Sequence, residues 1–92
     1  MELYALLTVD LENYVTTEQR KKFNEKMKEL DWKKLVELTT TWTAPFKEDV
    51  ARSSALRITK SDVAEAAKEG KISKYHAAVQ FGEESPDTFK SV

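Results

Sequence analysis

The sequence predicts a small α+β sandwich in the order β-α-β-β-α-β. Stretches with an apolar period of two alternate along the chain with stretches of helical period. Each predicted helix opens on a capping-box spacing, Thr16 with Gln19 and Thr59 with Asp62. The length of 92 residues, 40% hydrophobic and 34% charged, fits one folded domain with a limited core.

The first element is "LYALLTVDL" (3–11). Leu3, Ala5, Leu7, Val9 and Leu11 point one way, and Tyr4, Leu6, Thr8 and Asp10 the other. Leu6 on the polar side marks a central strand partly covered on both faces. Residues 16–30 then change period: Phe23, Met27 and Leu30 form a narrow apolar helical stripe among lysines and glutamates. "WKKLVELTTTW" (32–42) returns to alternation, with Thr and Trp suited to a pleated surface. Pro45 cannot donate to a ladder, so pairing is expected to end there, with a long polar hairpin loop over 44–54. "SSALRIT" (53–59) reads as a short third strand. The alanine-rich 60–70 reads as a helix packed through Val63, Ala66 and Ala67 and stopped at Gly70. The last strand covers 74–81, with Tyr75, Ala77, Val79 and Phe81 on one face.

Right-handed crossovers place the first and third strands in the middle and the second and fourth outside, with both helices on one side. This is a ferredoxin-like sandwich: a four-stranded antiparallel sheet with one face left bare. Residues 1–82 form the domain, and 83–92 form a polar C-terminal tail in which Phe89 is the large apolar residue.

Several function classes are excluded or narrowed. The formal net charge is −1, so any nucleic-acid site must be a local patch. With no cysteine there are no disulfides, thiolate zinc sites or cysteine nucleophiles, which suits a cytoplasmic protein. The first residues carry no basic segment and no apolar run of membrane length, so neither a signal peptide nor membrane insertion is expected. Two glycines leave no phosphate-cradling loop. The serines fall in no nucleophile motif.

The remaining candidates are specific residues. Asp10, Glu12 and the acidic tail offer oxygen ligands to a divalent cation such as Mg²⁺, or simply solvate strand ends. The lone His76 is a general-base candidate or a partly exposed sheet residue. Lys33, Lys34, Arg52, Arg57 and Lys60 would gather near the ends of adjacent strands as a nucleic-acid-binding patch, with Tyr4, Trp42 and Tyr75 as stacking faces. Lysines interleaved with glutamates also describe an ordinary solvated surface. The Thr-rich second strand is expected at a sheet edge with few protective devices, so Thr39, Thr41 and Trp42 are the expected homodimer interface.

The run "YALLTVDL" closing on Asp10, then "FNEKMKELDW", a strand, a polar loop, "ALRITKSDVAEAA" and a last strand resembles the GhoS-like antitoxin family. These are small ferredoxin-like proteins related to CRISPR-associated adaptation endonucleases. The resemblance covers roughly residues 3–81 and lies in layout more than in one motif. It implies action on RNA, by binding or metal-dependent cleavage, with Asp10 as the catalytic and metal-holding acid. The residues by themselves favour a non-catalytic homodimeric or partner-binding module, and both readings stay open at this stage.

Overall fold

The computed structural model describes residues 2–12, 14–35 and 40–88. Its elements are β1 (Leu3–Leu11), α1 (Thr17–Glu29), β2 (Lys33–Lys34), β3 (Thr41–Phe46), α2 (Arg52–Glu69) and β4 (Tyr75–Gly82). They form one antiparallel sheet in the order β2-β3-β1-β4.

β1 follows its alternation from Ala5 to Leu11, with Leu3 and Tyr4 both half-buried at its start. Ala5, Leu7, Val9 and Leu11 are buried against the helices, while Leu6, Thr8 and Asp10 are exposed on the other face. The same two faces run across the sheet by register. Trp42 and Ala44 of β3 and Phe81 of β4 join the buried side. Phe23 and Met27 of α1 meet them from above, as do Ala55, Val63, Ala66 and Ala67 of α2. Three rings close one end of this core: Trp32 meets Phe46 edge-on at 6.3 Å, and Phe46 meets Phe81 edge-on at 5.9 Å.

α1 starts as its sequence dictates. The Thr16 hydroxyl accepts the Gln19 N–H at 3.1 Å, and the Gln19 side chain accepts the Thr16 N–H at 2.9 Å. Both helices end on the same turn, in which the residue after the cap is left-handed: Asp31 at φ 71° and Lys71 at φ 56°. The Trp32 N–H then reaches back to the Met27 carbonyl, and Ile72 to that of Ala67. In each case both residues are buried, so the turn is also an apolar clasp.

Three expectations are corrected. Residues 53–59 form the first turns of α2 and not a strand. Ala55, Thr59, Val63, Ala66 and Ala67 are buried along one continuous helical stripe, and the strand-like alternation of so short a segment loses to it. The Thr59 hydroxyl accordingly caps nothing; it donates to the Ala55 carbonyl at 2.8 Å inside the helix. Second, the stretch expected as one strand over 32–42 ends early. β2 has two residues, and Thr41 and Trp42 already belong to the next strand. Residues 36–39 lie outside the described residues. Third, Pro45 is paired within β3, opposite Tyr4. The Thr41 carbonyl accepts the Leu35 N–H and the Thr40 carbonyl accepts the Val9 N–H, so odd residues of β3 face outward. At Pro45 the outward side lies past the end of β2, where no donor is required.

One part-buried polar contact ties α2 to the start of β2: the Trp32 indole donates to the Asp62 carboxylate at 2.9 Å. Burial raises the Asp62 pKa above its ordinary value; the indole bond opposes this, and Glu65 and Asp31 add to the rise. A carboxyl with a raised folded pKa contributes most below its ordinary pKa, and that contribution is lost as pH climbs through the raised value. Asp62→Asn keeps an acceptor for the indole and removes the charge. It is expected to flatten the fall in stability that begins as pH rises above the ordinary carboxyl value and ends above the raised one, and to be at least as stable as wild type at neutrality. Urea midpoints of both proteins across that range check this; a variant that is weaker at neutral pH with an unchanged slope contradicts it.

Candidate functional site: a free sheet edge beside an open face

The sheet has two edges, and they differ in kind. Among the described residues the β2 edge has two residues, both lysine, which blunts it by shortness and charge. The β4 edge, "YHAAVQFG", has eight residues with no Asp, Glu, Lys, Arg or Pro. The orientation of its backbone follows from β1. The Val9 N–H and the Ala5 carbonyl both bond toward β3, so even-numbered β1 residues face β4. Their partners His76, Ala78, Gln80 and Gly82 therefore point inward. Tyr75, Ala77, Val79 and Phe81 turn their N–H and C=O groups away from the sheet. The Phe81 carbonyl is taken by the Arg52 guanidinium, whose Nη2 donates at 3.4 Å and whose centre lies 5.8 Å from the Phe81 ring.

An apolar groove runs beside this edge, between β4 and α2. Leu7, Leu56, Thr59, Val63, Tyr75, Ala77 and Val79 line it, with Lys60 at its border. Ala77 points to the helix side and is still exposed, and Leu56 and Ile58 of α2 are also exposed. The helix thus stops short of covering the strand.

The sequence-predicted residues are dispersed. Trp42 sits in the inner strand β3, is 1% exposed, and lies beneath the Lys34 ammonium at 5.8 Å. The expectation that it marks an open edge is corrected: the edge strand ends before it, and its ring fills the core. Thr41 is half-buried in the same inner strand, and Thr39 lies outside the described residues. Lys33 and Lys34 stand on the β2 edge, while Arg52, Arg57 and Lys60 belong to α2, with Arg52 and Lys60 near the opposite edge. The structure does not bring these five cations into one groove. Asp10 and His76 are brought together, facing each other across β1 and β4 on the open face, both exposed. Glu12 is half-buried nearby, and its carbonyl accepts a bond from Arg20 at 3.2 Å. Among the described residues no group of three or more His, Asp or Glu is placed to hold a metal ion. Tyr4 is on the same open face, and its phenol is held above its ordinary pKa by the neighbouring Glu2.

These features define a ferredoxin-like α+β domain with one open sheet face and one unprotected edge. The crystal structure of protein SP2199 from Streptococcus pneumoniae resembles it, with a TM-score of 0.57 at 14% identity over 92% of this chain and 89% of that one. No family model and no curated protein matches the chain. Among the described residues no helix is long and apolar enough to cross a membrane.

Proposed function

We propose that the protein is a non-catalytic binding module that takes an extended strand onto the free edge of β4. The observation that carries this reading is an eight-residue edge without a charged or proline residue, whose outward N–H groups at Tyr75, Ala77 and Val79 face no strand. Strand addition supplies main-chain bonds for affinity, and the groove beside Leu56 and Val79 supplies a seat for alternate side chains.

A second reading, action on RNA, is favoured by the pairing of Asp10 with His76. A carboxylate beside an imidazole can hold or move a proton, and Asp10 would contribute one ligand to a cation such as Mg²⁺.

One titration separates the two. A synthetic extended peptide of alternating Thr and Val, unrelated in sequence to β4 and added to dilute labelled protein, is expected to shift the Ala77 and Val79 amide resonances more than those of His76 and Ala78. Single-stranded RNA in its place is expected to leave the spectrum unchanged. Peptide without effect at millimolar concentration overturns the edge reading. RNA that shifts Asp10 and His76 in a salt-sensitive manner, with a response lost in Asp10→Asn, establishes the second instead.

A further inference from the structure

We infer that the strand received by β4 is the β4 of a second copy, paired antiparallel about a two-fold axis at Ala77. This rests on the edge reading above and names its partner. Two independent observations lead to it.

The first is the charge order around the strand. Lys71 and Lys74 precede it, its eight residues include no Asp, Glu, Lys or Arg, and Glu83 and Glu84 follow it; all four flanking residues are exposed. Antiparallel pairing of two copies lays the basic entry of one along the acidic exit of the other, twice, by symmetry. Parallel pairing would set like charges together at both ends. A sequence that is basic, neutral and then acidic is complementary to its own reverse.

The second is the contact between Arg52 and the Phe81 carbonyl. It closes one end of the edge and leaves Tyr75, Ala77 and Val79 as the free outward residues, with Ala77 at their centre. Pairing about that centre matches Ala77 with Ala77 of the second copy and Tyr75 with Val79. The segment from Lys71 to Lys74 that enters one strand then lies beside the Glu83 and Glu84 exit of the other. The small Ala77 side chain lies on the helix side, so the two α2 helices approach over it with Leu56 between them. The open faces of the two sheets become one continuous surface, and both Asp10–His76 pairs lie on it near the axis.

The chain has no cysteine, so engineered thiols report the register directly. Ala77→Cys places two thiols on directly opposed residues, with Cα atoms about 5.5 Å apart and within disulfide range. Val79→Cys places them on residues offset by four positions, about 13 Å apart. Light scattering of the wild type is expected to rise from the mass of one chain to that of two with concentration, and to fall back in high salt. Under mild oxidation Ala77→Cys is expected to crosslink nearly completely and Val79→Cys hardly at all. The charge-reversed proteins Glu83→Lys/Glu84→Lys and Lys71→Glu/Lys74→Glu are each expected to stay monomeric and to dimerise when mixed. A wild type that remains one chain at millimolar concentration overturns the inference, and leaves the peptide titration to decide the edge reading separately. A dimer in which Val79→Cys crosslinks as readily as Ala77→Cys, or one indifferent to both charge reversals, overturns it as well.

Discussion

Trp42→Ala is expected to cost about 3–5 kcal/mol, a large share of the roughly 5–15 kcal/mol that holds a typical domain together. The indole is the largest fully buried side chain, pressed between the inner strand and α1 beside Phe23, Val9 and Leu11. Removing it leaves a hole that surrounding backbone in three strands cannot close. Trp42→Phe keeps most of the volume and should lose far less. Urea unfolding of the three proteins checks this. If alanine leaves the midpoint unmoved while altering only the state of association, Trp42 belongs to an interface and not to the core.

Gly70→Val should rank close behind. A Cβ placed on Gly70 would sit 2.8 Å from the Gln19 backbone carbonyl and 3.2 Å from the Ile72 Cδ1. The Ile72 methyl can swing aside, but the carbonyl belongs to the first turn of α1 and is fixed by its capping box. Gly70 has an ordinary helical φ of −85°, so the glycine is needed for close approach and not for an unusual backbone angle. Gly70→Ala gains about 0.4–1 kcal/mol by restricting the unfolded chain, and overpacking against that carbonyl at about 1–3 kcal/mol outweighs it. The branched valine should lose more. Thermal unfolding of both variants, with amide exchange at Gln19 and Lys71, reads the effect where the Gln19 side chain donates to the Lys71 carbonyl at 3.2 Å. An alanine variant that melts higher than wild type refutes the close-approach account.

The parts of the fold that were readable in the sequence are those where one local rule acts without a competitor. β1 alternates over nine residues with no breaker, and the Thr16–Gln19 box sits directly before an apolar stripe. Both came out as expected, as did the element order and the bare face. The errors cluster between Trp32 and Thr59, where two rules conflict. The Thr-rich run has strand propensity throughout, so propensity alone does not mark where one strand gives way to the next. Ser53 to Thr59 alternates weakly over too few residues to outweigh a helical stripe that is visible only when Ala55 and Thr59 are counted with Val63 and Ala66. A proline inside a strand also becomes acceptable only once its outward side is known to face no neighbour.

The candidate site was legible in part. The expected topology already put the fourth strand outside, and the absence of charge from Tyr75 to Gly82 is visible in the sequence. Aromatic bulk at Trp42 suggests an edge over Thr39–Trp42 in the sequence, yet that indole is core material. What the sequence could not supply is the direction of each backbone group, since that depends on which β1 residues bond to β3. The pairing of Asp10 with His76 likewise depends on register, because the two residues lie far apart in the chain.

The central position of β1 also bears on how the protein is made. Of the four strands of this sheet β1 leaves the ribosome first, and it is flanked by β3 and by β4, which leaves last of the four. One flank of its alternating apolar residues stays bare until β4 has emerged, so completion of this sheet is expected to be late and cooperative rather than stepwise during translation.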